Sequence, residues 1–264
     1  MLLGGNHETM RPAYNTIDQV TFSKKILRTP YENIVIGNFL YGMGVSLGRK
    51  ADLHIPAASI NNTQQTPLDP LLADVWLTFP GVCRLLEFKR ENADRSKDII
   101  KRDALRDVLA DHPQFLPVSR QVHWFAEIVG HPGRGIDLRL SPFVDMGHAG
   151  ATQVSMADYI DQFTSSALSP SDVEPTAPQV SQYLQLVGEL ASASDASGAG
   201  LMVHVTPQGK LEFIALSDIR DLNLQYGHQI NQEQQITLAI EQGREQAAEL
   251  TLQRTGPSMK PPGR

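Results

Sequence analysis

The order of periodicities along the chain predicts an α/β protein of the α+β kind, a mixed central sheet flanked by helices with a smaller C-terminal α+β region. Three observations carry this expectation. Two β-prone runs, 74–79 and 82–88, flank Pro80-Gly81; an amphipathic helical pattern follows over 94–111; two further strand-like runs, 121–129 and 135–144, come next. Composition permits such a fold. Of 264 residues, 41% are hydrophobic and 20% charged, close to the globular norm, and a chain this long can bury a substantial core without staples.

Taken in order, Thr29-Pro30-Tyr31-Glu32 offers a hydroxyl N-cap, a proline at the first helical position and a glutamate three residues past the cap, so a helix is expected to start there. Ile34-Val35-Ile36 favours strand, and Gly37, Gly42, Gly44 and Gly48 weaken any helix they enter, but the start signal decides for helix. Residues 57–70 are rich in Ser, Asn, Thr, Gln and Pro, which supply turns rather than a ladder, and read as a surface loop.

Pro80-Gly81 suits the centre of a type II turn and makes the runs on either side a hairpin. In the helix that follows, Asp94 is the expected cap and Ile99, Ile100, Ala104, Leu105, Val108 and Leu109 form the expected buried stripe. His131-Pro132-Gly133 turns the next two strands. Ser/Ala/Pro/Gly-rich stretches at 165–178 and 191–200 flank a short helix, 179–190, and set a boundary near Ser165 between a core over 1–165 and an accessory region over 166–264. That region should hold a hairpin over 201–216 turning at Pro207-Gln208-Gly209, a Gln- and Glu-rich helix over 231–253, and a Pro/Gly tail.

Several function classes recede on composition. The single Cys83 cannot make an intramolecular disulfide, and the N-terminus lacks the basic start and apolar run of a signal peptide, so a cytoplasmic location is expected. The longest apolar stretch, 34–48, is broken by glycines, Asn38 and Ser46 and falls short of the roughly 20 residues of a membrane span. A net charge of −6 argues against a broadly basic nucleic-acid coat. Locally the balance reverses: 84–106 carries Arg84, Lys89, Arg90, Arg95, Lys97, Lys101, Arg102 and Arg106 against Glu87, Glu91, Asp94, Asp98 and Asp103.

The chemistry concentrates on the hairpin. With Pro80 and Gly81 as its loop, residues whose numbers sum to 161 face each other, so Phe79 meets Val82, Trp76 meets Leu85 and Asp74 meets Glu87. Opposed carboxylates about 5 Å apart at Cβ repel unless a positive group stands between them, and a divalent cation suits that place. Lys89, two residues past Glu87, points to the same face, where an ammonium can neutralise developing negative charge. Val75, Leu77, Phe79, Val82, Leu86 and Phe88, with Arg84 as the exception, make the other face apolar. Trp76, Cys83 and Leu85 beside the charges imply a partly buried cleft, where electrostatic interactions strengthen.

Asp74, then a hairpin bearing Glu87-Phe88-Lys89, then an amphipathic helix, resembles the PD-(D/E)XK, or restriction-endonuclease-like, nuclease superfamily over roughly residues 30–145. The resemblance implies a metal-dependent nuclease in which Asp74 and Glu87 bind Mg²⁺ or Mn²⁺ and Lys89 assists the attacking water or the transition state. It implies nucleic acid as partner, DNA ahead of RNA, with Arg90, Arg95, Lys97, Lys101 and Arg102 gripping backbone phosphates. Asp69 competes with Asp74 for the first metal position, and Glu32 is either a further acidic contributor or a capping-box residue. A non-catalytic assembly protein on the same scaffold is the alternative, with a protein partner or a second copy engaging the C-terminal region.

Other motifs weigh less. Gly44-Val45-Ser46-Leu47-Gly48 matches a nucleophile elbow, but a helix rather than a strand is expected before it. Gly42, Gly44 and Gly48 miss the dinucleotide spacing. His112, His123, His131 and His148 lack zinc-site spacing, and His123 reads as a sheet residue.

Overall fold

The computed structural model describes residues 29–51, 58–62, 73–131, 135–169, 174–192, 200–206 and 210–216. In chain order they form α1 (Glu32–Lys50), β1 (Ala58–Asn62), β2 (Val75–Phe79), β3 (Val82–Arg90), α2 (Ser96–Asp111), α3 (Leu116–Val122), β4 (His123–His131), β5 (Gly135–Pro142), β6 (Val154–Ser155), α4 (Met156–Leu168), α5 (Ala177–Ser192), β7 (Gly200–Val205) and β8 (Leu211–Leu216). The strands join one mixed sheet in the order β6-β5-β4-β3-β2-β1-β7-β8. The expected α/β class, a mixed sheet flanked by helices, is what the chain forms.

The hairpin register is the one the turn dictates. Val75 pairs with Leu86, Trp76 with Leu85, Leu77 with Arg84, Thr78 with Cys83 and Phe79 with Val82. Gly81 takes φ of 71°, the left-handed conformation that a type II turn demands of its third residue. β3 then runs parallel to β4, with α2 and α3 making the crossover, and β4 turns back antiparallel along β5.

Period-2 alternation divides β3 between two cores. Val82, Leu86 and Phe88 join Val75, Leu77 and Phe79 beneath α1 and α4, where Ile36, Phe39, Met43, Tyr159 and Phe163 are buried. Cys83 and Leu85 join Trp76 and Phe125 beneath α2, α3 and α5, where Leu105, Leu109, Val122 and Tyr183 are buried. Helix α1 is fastened to α4 by Ser46 Oγ with Thr164 Oγ1 at 3.0 Å and by Lys50 Nζ on Asp161 Oδ1 at 2.7 Å. Ser46 therefore sits mid-helix, far from an elbow geometry.

Several expectations are corrected. Residues 58–62, within the expected loop, are strand β1: held between β2 and β7, they gain a ladder on both edges, and sheet pairing overrides the weak propensity of Asn61 and Asn62. α4 occupies 156–168, for which no element was expected before the Ser/Ala/Pro/Gly-rich stretch that begins at 165. Its Ser155 side chain caps the helix, accepting from the Asp158 N–H at 3.2 Å and donating to Asp158 Oδ2 at 2.6 Å. α3 takes Gln121 and Val122 from the expected β4. The boundary expected near Ser165 falls within α4, and β7 and β8 extend the sheet that holds β2 and β3. Asp69, the turn at 207–209 and the helix expected over 231–253 lie outside the described residues.

Arg84, the one charge on the apolar face, is compensated from a distance. Its Nη1 and Nη2 donate to Glu174 Oε2 and Oε1 at 3.0 and 2.7 Å, and both side chains are almost wholly buried. A two-pronged pair of this kind ties the segment entering α5 onto the sheet. Glu174→Ala should strand the guanidinium and cost about 3–5 kcal/mol by urea unfolding, whereas Arg84→Met with Glu174→Leu should cost little. Equal losses in both would contradict this account of the pair.

Candidate active site

At the exit of β3 the sheet face beneath α2 turns from apolar to charged. Glu87 is 3% exposed, and Lys89, half-buried, brings Nζ to 4.0 Å from Glu87 Oε1. Asp74, also 3% exposed, lies one residue before β2, at the position that the hairpin register sets opposite Glu87. Its Oδ2 accepts the Phe88 N–H at 2.5 Å, a charge-assisted bond that ties the carboxylate to the strand bearing Glu87 and Lys89. The expected triad is thus gathered at one end of one hairpin.

α2 closes the site with residues that sequence reasoning gave other roles or none. Asp98, 1% exposed, sets Oδ2 3.4 Å from Lys89 Nζ, and Lys101 Nζ lies 3.5 Å from Glu87 Oε2. Arg95 bonds Glu127, the β4 neighbour of Lys89 in the parallel register, and lies over the Phe125 ring at 5.6 Å. The expected helix stripe is displaced accordingly: Leu105 and Leu109 are buried, but Ile99 and Ile100 face outward and Asp98 points in. Asp94 accepts the Ser96 N–H at 2.9 Å just ahead of the helix, and its carboxyl is held below the usual aspartate range by its bonds to Ser96.

Glu32 is a site neighbour rather than half of a capping box. The helix begins after Tyr31, two residues later than the proline signal implied, and Glu32 Oε1 instead accepts the Arg90 N–H at 3.2 Å. Arg90 stacks its guanidinium over the Tyr31 ring at 5.1 Å. Burial works to lower the Lys89 pKa, but Asp98, Glu87 and Glu32 together outweigh it and hold the ammonium above its ordinary value. Lys89 is therefore a cation at neutral pH, able to stabilise charge and unsuited to act as a base.

Of the five residues expected to grip phosphates, Lys97 alone is exposed. Arg90 and Arg95 have the partners described above, Lys101 sits on Glu87, and Arg102 donates to the Met146 carbonyl at 2.7 Å and to Asp103. Arg106 likewise donates to the Val144 carbonyl at 2.7 Å. Much of the positive charge of α2 is spent on internal anchoring. His123 is, as expected, a sheet residue: it stacks on Phe143 with centroids 4.4 Å apart and meets Tyr183 Oη at 3.3 Å.

Burial also shapes the titration of Cys83, which lies on this face beside Trp76. Loss of solvation pushes its thiol up to about 12, against the opposing pull of Arg84 and Trp76. The unfolded thiol ionises near 9.0 and the native one only near 12, so stability that is complete below the lower value should drain away between the two. The slope from this group is up to about 1.4 kcal/mol per pH unit. Urea unfolding of the wild type and of Cys83→Ala on either side of the lower value checks it; parallel pH profiles would contradict it.

No helix among the described residues is long and apolar enough to cross a membrane. Comparison with protein-family models, with curated proteins and with solved structures finds no match to the chain.

Proposed function

We propose that the chain is a divalent-metal-dependent nuclease that hydrolyses phosphodiester bonds, DNA ahead of RNA, with Asp74, Glu87 and Lys89 at its centre. The observation that carries this is two buried carboxylates, Asp74 just before β2 and Glu87 on β3, with Lys89 kept cationic beside Glu87 at the exit of β3. Parallel strands present ligands at their C-terminal ends. α1 and α2 both begin near this exit, which brings their positive ends close to it.

The donor set fits a hard cation by type. Asp74, Glu87, Asp98 and Glu127 bring four carboxylates against the three cations Lys89, Lys101 and Arg95, a net charge of −1 in a largely buried locus. No cluster of three or more acidic, histidine or cysteine side chains ready to hold a metal occurs among the described residues. The reading takes Asp74 and Glu87 as the protein's ligands, since Mg²⁺ is commonly held by one or two carboxylates and keeps several waters. When bound, the ion polarises a phosphoryl oxygen and lowers the pKa of its water. Lys89 adds a fixed positive charge where the phosphorane develops its negative charge. Lys101, lying on Glu87, neutralises that carboxylate in the cation-free state.

One observation favours the non-catalytic alternative. Glu87 already has Lys101 and Lys89 against it, and Asp74 is engaged by the Phe88 N–H. A scaffold that keeps its charges internally paired needs no metal.

Purified protein incubated with single- and double-stranded DNA and RNA and Mg²⁺ or Mn²⁺ decides between them. Cleavage should be abolished by chelator and should fall roughly 10²–10³-fold in Glu87→Ala and in Lys89→Ala shown to be folded by circular dichroism. Cleavage undiminished in both variants would remove the proposed site. Binding without cleavage would leave the scaffold.

A further inference from the structure

The first turn of α2 violates the rule by which a surface helix selects its buried face. Ile99 and Ile100 are 41% and 68% exposed, while Asp98 beside them is 1% exposed. A helix turned by about 100° per residue would bury an isoleucine and hydrate the carboxylate. The chain does the reverse, forfeiting apolar burial and desolvating a charge. Departures of this kind from local consistency concentrate at functional sites.

What the inversion accomplishes is visible in the contacts. Asp98, Lys101, Leu105 and Leu109 form one stripe, whose lower half enters the core and whose upper half meets β3. Asp98 Oδ2 approaches Lys89 Nζ to 3.4 Å, nearer than Glu87 Oε1 at 4.0 Å. That oxygen is buried and receives no hydrogen bond among the described residues, so the ammonium is the charge it faces. Two ion pairs cross between strand and helix, Lys89 with Asp98 and Glu87 with Lys101.

We infer that Asp98 is a positioning residue of the candidate site: from α2 it fixes the Lys89 ammonium beside Glu87 at the exit of β3. For what Lys89 does there the inference rests on the proposed nuclease activity; for where Lys89 is held it rests on the geometry alone. A purely architectural pair has a different signature: losing one partner costs stability, yet a variant that still folds keeps the chemistry of the site. Asp98→Leu would then leave the site working.

The test uses the full chain as wild type, Asp98→Asn, Asp98→Glu and Asp98→Leu. Lysine acetylation read by mass spectrometry reports how tightly Lys89 is held, with exposed Lys97 as internal reference. Lys89 should react slowly in the wild type and several-fold faster in Asp98→Asn and Asp98→Leu, with Lys97 unchanged. Metal-dependent cleavage should lose kcat on the order of 10²-fold in both, with KM little altered, and Asp98→Glu should recover part of it. Should Asp98→Asn unfold, Asp98→Leu carries the comparison. Unchanged Lys89 labelling in the folded variants, or wild-type cleavage by Asp98→Leu, would overturn the inference. A wild type that cuts nothing while the labelling still rises would remove the nuclease activity and leave Asp98 as the group that holds Lys89.

Discussion

Compensation of the charges along β3 is the constraint on which the rest of the molecule depends. The strand lies between an antiparallel and a parallel neighbour, and its first seven residues are buried. Three of the eight residues before Arg90 nonetheless carry charge: Arg84, Glu87 and Lys89. An uncompensated charge in such a place costs several kcal/mol. Each therefore recruits a partner from a distant element. Glu174 comes from the segment entering α5, Lys101 and Asp98 from α2. Through these pairs the strand dictates where the chain must pass on both faces of the sheet.

The two kinds of pair have different consequences. Arg84 and Glu174 meet in two short bonds and satisfy one another, which makes the pair a fastener. At the other end of the strand the lysine contacts are longer, 3.4 to 4.0 Å, and with Asp74, Glu127 and Arg95 included four carboxylates stand against three cations. A tight pair stores its charges; a loose, net-negative cluster keeps them available to a ligand. This contrast within one strand separates the architectural end of the hairpin from the end that carries the proposed site.

The hairpin was fully legible in the sequence, because turn chemistry and period-2 alternation both act locally: Pro80-Gly81 set the register, and the register placed Asp74, Glu87 and Lys89 together. α4 went unread, although Ser155 and Asp158 carry a local capping signal within four residues. β1 was not, since Asn61 and Asn62 become strand only by having β2 and β7 on either side. Nor was the orientation of α2. Hydropathy spacing assigns Ile99 and Ile100 inward, and only the long-range charge of Lys89 turns Asp98 inward in their place. Glu32 shows the same limit, its local capping role yielding to the Arg90 N–H 58 positions away along the chain. Sequence patterns report what neighbours along the chain prefer; ion pairs between remote elements decide the remainder.

If the cluster is net negative for a purpose, it should take up a cation. Calorimetric titration of Mn²⁺ into the wild type and into folded Glu87→Gln measures this directly, without any substrate. One ion bound per chain in the wild type, with binding lost or severely weakened in Glu87→Gln, is the predicted result. No binding to the wild type, or equal binding to both proteins, would contradict a metal centre at Asp74 and Glu87.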